Sequence, residues 1–482
     1  MTSNPQIHSR PDTEFGPFVS AGEIASAVAS GKISATRIVE TTLNRIREDD
    51  KHLNSFTDLL SERAIERAKN IDASIAKGEP VGPLAGVPFA VKNLFDVKGL
   101  TTRAGSKINR DNPPARRDAT LIERLEAAGA ICVGALNMGE YAYDFTGENI
   151  HDGNSRNPHD TSRMTGGSSG GSGAAVAGGL VPVALGSDTN GSIRVPSSFC
   201  GIFGLKPSYG RLPRTRTFPF VSSLDHVGPL ARNVADLVCC YDAMQGPDPG
   251  DPVCSPRMPE PAGGIIARGA EGLRIAVAGG YFQTGLYQEA QSAIEKVARA
   301  LNATAVVEIP EAARARAAAY VITNAEGASL HLDRLRERPD DFDPAVRDRL
   351  LASALLPAVM IDRAQKFRRW YRSQVLDLFR SWDVILAPAT PCVAPKIGQV
   401  NFEIGGKQVP VRANIGLYTQ PLSFIGLPIA VAPIPLDPLP IGVQIIAAPW
   451  REDLALRVAF ALEQMGIAAS KRPRTQAEHD AD

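Results

Sequence analysis

Residues 165–195 read TGGSSGGSGAAVAGGLVPVALGSDTNGSIRV. Glycine and serine runs of this kind build flexible linkers, phosphate cradles and nucleophile-bearing loops alike. A linker separates elements and stays polar. This run leads directly into GAAVAGGLVPVALG, which is small and apolar. That texture predicts a glycine-rich loop feeding a tightly packed helix and then a buried strand.

The phosphate readings are weak. A P-loop requires G-x-x-x-x-G-K-[ST], and no GK[ST] occurs in the stretch. A dinucleotide fingerprint requires G-x-G-x-x-G directly after a strand. Gly171 and Gly173 have no third glycine at the right offset, and the preceding SRNPHDTSRM does not read as a strand. Gly166-Gly167-Ser168-Ser169-Gly170 does match the G-x-S-x-G nucleophile elbow. The elbow needs an apolar strand before it and a Ser…Asp…His order after it. His226 and His331 lie downstream, but neither sits in a context that suggests a catalytic base.

What remains is serine chemistry without histidine. A serine at its ordinary pKa is a poor nucleophile and needs an adjacent base. A lysine can serve if burial lowers its pKa toward neutrality. Lys92 ends the apolar strand-like segment VPFAVK, where such a base would stand. Taken alone, a strand-end lysine with its ammonium in solvent is the plainer reading.

The rest of the chain bounds the possibilities. It has 482 residues, 44% hydrophobic and 22% charged, enough for a large core. Lys plus Arg and Asp plus Glu balance at 52 each, so no basic excess points to nucleic acid. No run of about 18 apolar residues suggests a membrane span, and the first thirty residues lack a signal-peptide core. Six cysteines without C-x-x-C spacing read as reduced, mostly buried thiols, and so as a cytoplasmic chain. Seven scattered histidines, with no His-x-x-x-His pair, argue against a metal enzyme.

Ser20 and Ser34 read as helix N-caps, the first with Glu23 three residues on. Ile38, Leu43 and Ile46 fall near one helical face. From Pro83 the texture alternates between short apolar strands and helices, which predicts α/β architecture around a sheet. Strands are expected in VPFAVKN, ICVGA, VPVALGSD, GIFGLKPS, LRIAVAG, TAVVEIP, WDVILAP, LPIAVAPIP and LPIGVQIIA. Asp118 is expected to cap a helix that Gly129 stops. One long helical region is expected from about 311 to 380. The Pro/Gly-rich segment 245–270 reads as a surface loop.

Three segments taken together resemble the amidase signature family. They are GVPFAVKNLFDVKG, the run from Thr165 through GIFGLKPSYGR, and SSLDHVGPLARNVADL at 222–237. The resemblance is strong over about 80–245 and weaker over most of the remainder. It implies the amidase signature fold, a mixed twisted central sheet surrounded by helices. It also implies a Ser-cisSer-Lys triad: Ser192 as nucleophile, Ser168 after a cis peptide bond as proton bridge, and Lys92 as base. The main-chain N–H groups of Thr189, Asn190, Gly191 and Ser192 would form the oxyanion hole. No cofactor and no metal are implied. Asp188 and Arg194 are expected to pair inside the loop.

The commonest family text is D-T-G-G-S, and here Asn190 stands at the first glycine. Asparagine tolerates positive φ and could also touch the substrate. Within the family, DTNGSIRVPSS most resembles the carboxybiuret hydrolase branch. This implies an amidohydrolase cleaving a small urea-like or carboxylated amide and releasing ammonia. It also implies a small helical partner subunit, in a homodimer or heterotetramer, with neither nucleic acid nor membrane involved. An amidotransferase subunit, or an inactive binding protein on the same scaffold, are the alternatives. Candidate pocket residues are Tyr141, Tyr143, Asp144, Arg211, Arg214, Arg216 and Gln420. The domain reading is an arm at 1–19, an amidase domain at 20–469 with a helical region at 20–80 and a signature core at 80–245, and a mobile tail at 470–482.

Overall fold

The computed structural model describes residues 15–473. Residues 1–14 of the arm and 474–482 of the tail lie outside the described residues. Ser20 forms a capping box with Glu23 at the start of the helix Ala21–Ala29, and Ser34 caps the helix Ala35–Leu53. Ile38, Leu43 and Ile46 are buried on one face of the second helix, as their spacing demands.

The first strand interrupts the helical reading of 20–80. β1 (Phe56–Leu59) lies between two helices and pairs antiparallel at the sheet edge with the strand Ile131–Leu136. Its four residues are only half-buried, so its apolar pattern is faint. β2 (Pro88–Lys92) and β3 (Ile131–Leu136) are fully buried and parallel to each other. The short β4 (Arg156–Asn157) and β5 (Asp160–Met164) form a separate hairpin. SRNPHDTSRM therefore does contain strand, contrary to expectation. It is polar and stands outside the main sheet, so it is not the apolar strand of a nucleophile elbow.

β6 (Val183–Asp188), β7 (Phe203–Lys206) and β8 (His226–Ala231) follow, all buried. β9 (Ile275–Ala278), β10 (Ala305–Val307) and β11 (Val384–Pro388) build the far side. β12 (Asn401–Ile404) and β13 (Lys407–Pro410) make a second exposed hairpin. β14 (Ile429–Ile434) and β15 (Ile441–Ala447) close the set. Eleven strands join one mixed sheet in the order β1-β3-β2-β6-β8-β7-β14-β15-β11-β9-β10. β2 runs parallel to β3 and β6, and β9 parallel to β10 and β11, while the other pairings are antiparallel. Near-continuous apolar strands are what a sheet covered on both faces requires.

The expected long helix is three: Ala312–Glu337, Pro344–Ser353 and Ala358–Leu378. Pro339, Pro344 and Pro357 lack the N–H that a continuing helix would use. Asp118 is not a cap. The helix Thr120–Ala127 starts after Ala119, and the Asp118 carboxylate instead accepts from Arg63 and from the Lys98 N–H, each at 2.8 Å. Segment 245–270 is a packed loop, tied by Asp251 to Arg214 and by Glu260 to Arg211.

Candidate active site

β2 and β6 lie side by side in parallel, so Lys92 and Asp188 emerge at the same edge of the sheet. Clefts beyond the carboxyl ends of parallel strands are where such sheets place ligands. The helix Gly170–Ala177 packs against this edge. A Cβ at Gly171 would lie 2.5 Å from the Ser55 carbonyl oxygen and 2.6 Å from that of Asn137, so only glycine allows the approach. Ser172 Oγ donates to the Leu185 carbonyl at 2.9 Å, fastening the helix to β6. The Gly/Ser run is thus close packing, and the linker reading fails on geometry.

Lys92 has no exposed surface. Its Nζ donates to Ser168 Oγ at 2.6 Å and to Ser187 Oγ at 2.9 Å. Burial lowers its pKa to about 7, against the opposing pull of the Asp188, Asp225 and Asp144 carboxylates. The Gly167–Ser168 peptide bond is cis. Ser168 is fully buried, and its carbonyl accepts the Gly139 N–H at 3.1 Å.

Ser192 lies on the wall of a cavity that also touches Thr189, Asn190, Tyr143, Asp144, Phe220, Thr323, Arg349, Arg412 and Gln420. Its atom-free space, mouth included, is about 390 Å³. Ser168 is not among the residues that line the cavity and is bonded to Lys92. Among the described residues, no hydrogen bond joins the Ser168 and Ser192 hydroxyls. Of the contacts expected between the three residues, the structure shows the Lys92–Ser168 hydrogen bond and not one between Ser168 and Ser192. Such contacts commonly tighten only around substrate.

The loop before Ser192 is rigidly held. The main-chain N–H groups of Asn190, Gly191 and Ser192 donate to no acceptor among the described residues. Gly191 has φ +147°, and a Cβ there would strike Thr419 Oγ1 at 2.3 Å. Thr419 Oγ1 donates to the Asn190 carbonyl at 2.6 Å, and Thr189 Oγ1 to Asp225 at 2.6 Å. Asp188 and Arg194 do pair, at 2.9 Å with neither side chain exposed. Burial pushes the Asp188 carboxyl up, but the Arg194 guanidinium outweighs it and the net direction is strongly down. Asp188 also accepts from the Ile193 and Arg194 N–H groups, which sets the turn after the serine.

Of the candidate pocket residues, Tyr143, Asp144 and Gln420 line the cavity. Tyr141 does not; its ring lies 4.0 Å from that of His331. Arg211 binds Tyr241 and Glu260, Arg214 binds Asp251, and Arg216 binds Glu123. The guanidiniums at the cavity are Arg349 and Arg412, which the sequence reading missed. Arg412 donates to Asp144 at 2.9 Å, and Arg349 lies 3.8 Å from the centre of the Tyr143 ring. No local motif marks either. His226 is buried with its Nδ1 3.1 Å from the Asp188 carbonyl, and neither it nor His331 lines the cavity. Among the described residues, no group of three or more His, Cys, Asp or Glu is placed to hold a metal ion, and no helix is long and apolar enough to cross a membrane.

These features agree with what the chain resembles. The Amidase family model matches residues 37–456. The 1-carboxybiuret hydrolase subunit AtzE of Pseudomonas sp. (strain ADP) is 54% identical over 93% of this chain and 99% of its own length. A glutamyl-tRNA(Gln) amidotransferase subunit of Anaeromyxobacter dehalogenans (strain 2CP-C) is 39% identical over 92% of this chain and 95% of its own. A solved structure of a vestigial protein complex, one that reveals the evolutionary origins of an s-triazine catabolic enzyme, superposes with a TM-score of 0.93. It is 53% identical and covers 94% of this chain and 100% of that one. The chain belongs to the amidase signature family, amidohydrolases that cleave carbon–nitrogen bonds other than peptide bonds.

Proposed function

We propose that this enzyme hydrolyses a small urea-like acid of the 1-carboxybiuret type through a seryl acyl-enzyme, with Lys92, Ser168 and Ser192 as the catalytic residues. One observation carries the reading: a fully buried lysine, brought by burial to a pKa of about 7, donates to Ser168 Oγ at 2.6 Å, at the same end of the sheet as the loop whose Ser192 lines the cavity. Neutral Lys92 takes the Ser192 proton through the Ser168 hydroxyl as Ser192 Oγ attacks the carbonyl carbon. The main-chain N–H groups of the 189–192 loop hold the oxyanion, and each such donor contributes about 3 kcal/mol elsewhere. The tetrahedral intermediate collapses as Lys92, now charged, returns the proton through Ser168 to the leaving nitrogen. Ammonia departs. Water, deprotonated along the same path, then cleaves the ester and restores the serine.

The 54% identity to a carboxybiuret hydrolase subunit supports the substrate class. That this relative is a subunit, and that the solved neighbour is a complex, supports a partner subunit here. The amidotransferase relatives at 39% identity and below keep that role as a second reading. It would require glutamine hydrolysis coupled to a tRNA-binding partner. We also read 20–469 as one domain, a reading supported by a single sheet that draws strands from Phe56 to Ala447.

The test is ammonia release by the purified protein from 1-carboxybiuret, related small ureas and glutamine. Turnover of the ureido acid, lost on the order of 10⁴-fold or more in Ser192→Ala with the thermal midpoint unchanged, is expected. Retained turnover in that variant removes the nucleophile assignment. Turnover of glutamine alone removes the substrate assignment.

A further inference from the structure

Asn190 is the one place where the nucleophile loop departs from the common family text, and its side chain is only partly accounted for. It is 6% exposed and lines the cavity with Ser192 and Thr323. Its Nδ2 donates to Thr323 Oγ1 at 2.9 Å, on the helix Ala312–Glu337. Its main-chain carbonyl accepts from Thr419. Its Oδ1, by contrast, is buried and accepts from no group among the described residues. A buried acceptor without a donor is unfavourable and rare in a settled core. Asn190 thus holds, at the cavity wall, an unpartnered side-chain acceptor that a glycine could not supply.

The chemistry of acyl transfer says where that acceptor is useful. The nucleophile addresses the carbonyl carbon. The loop N–H groups address the carbonyl oxygen, and the proton relay addresses the leaving nitrogen. The remaining direction holds the substituent that stays on the carbonyl carbon. In an alkyl amide this substituent is carbon and donates nothing. In a urea or biuret it is nitrogen and carries an N–H. Asn190 stands on the same loop as the N–H groups that face the oxygen, and it lines the cavity.

We propose that Asn190 is a specificity-determining residue: its amide oxygen accepts the N–H next to the scissile carbonyl and so selects ureido over alkyl acyl groups, while Thr323 holds the amide in that orientation. The inference rests on the proposed amidohydrolase reading and specifies how that site recognises its substrate. Sites built to bond a substrate N–H discriminate strongly against the isostere lacking it, because their polar group is then left unpaired. Oδ1 has no donor within the protein itself, so binding the isostere breaks no existing bond and a smaller preference is expected.

The matched probes are biuret and malonamide, which differ by N–H against CH₂ at one atom. Their affinities are measured calorimetrically for Ser192→Ala, which cannot turn them over, and for the same chain carrying Asn190→Gly or Thr323→Val. Ser192→Ala is expected to bind biuret about tenfold more tightly than malonamide. Asn190→Gly should abolish that ratio chiefly by weakening biuret, and Thr323→Val should reduce it without abolishing it. Equal affinity for the two probes in Ser192→Ala, an unchanged ratio in Asn190→Gly, or no binding of either probe overturns the proposal. Its failure is separable from that of the activity. Ammonia release from ureido acids by the wild-type enzyme with no N–H preference sinks only the role of Asn190. An Asn190-dependent preference with no ammonia release sinks only the hydrolase assignment.

Discussion

Two lysines end buried strands in this sheet, and they are alike in almost every respect except their acceptors. Lys92 closes β2 and Lys206 closes β7, and neither has exposed surface. Burial lowers both to about 7; the Arg194 guanidinium assists at Lys206, while carboxylates oppose the shift at both. Lys92 donates to two serine hydroxyls, Ser168 and Ser187. Lys206 donates to two main-chain carbonyls, those of Pro207 and Leu427. A hydroxyl can accept one proton and pass on another, whereas a carbonyl can only accept a bond. Burial and a displaced pKa therefore do not by themselves identify a catalytic lysine. The acceptor set separates a base from a brace.

That contrast can be broken by substitution. Lys92→Met keeps the volume and removes the amine. It should lower kcat/KM on the order of 10³-fold, within the range for a lost general base. Its thermal midpoint should equal or exceed that of the wild type, because replacing a buried ionisable group by a packed apolar one is commonly neutral or stabilising. The wild-type pH–rate profile should show an acid limb near pH 7, below which Lys92 is protonated and cannot accept the serine proton. Lys206→Met should leave both the rate and that limb in place. Its stability at pH 7 should, like that of Lys92→Met, equal or exceed that of the wild type, because the penalty of a buried amine is removed.

A further effect is one the two lysines share. Each has a folded-state pKa below its unfolded value of about 10.4, so the folded chain binds fewer protons between these limits. Their penalty on stability is complete below about pH 7 and is relieved as pH rises. Stability should increase from about pH 7 to 9, and each single Lys→Met variant should show a shallower rise. Equal slopes with unequal activities would sharpen the distinction between the two sites.

The sequence presents these lysines identically. VPFAVK and GIFGLK are both apolar strands ending in lysine, and the family resemblance decided for the first. The apolar strands β2, β3, β6, β14 and β15 were legible because burial on both faces writes a continuous hydrophobic run. β1 was not, because FTDL is a half-buried edge. The polar hairpin β4–β5 was not, because its main-chain pairing leaves little trace in side-chain polarity. Lys92, Ser168 and the loop around Ser192 were legible from compact motifs on neighbouring strands. Arg349 and Arg412 were not. They reach the cavity from separate helices, the first in a stretch read as one long packing helix, and nothing in their local sequence separates them from surface arginines.

The central claim is that Lys92 exchanges its proton near neutrality through a serine hydroxyl. Its most direct test is the ¹⁵Nζ titration of the lysines in the wild-type protein, with the Lys92 and Lys206 resonances assigned by their loss in the respective Met variants. The account predicts a Lys92 midpoint near pH 7 that coincides with the acid limb of kcat/KM. A Lys92 amine that stays charged to its ordinary value of about 10.4, with the acid limb unmoved, would contradict it.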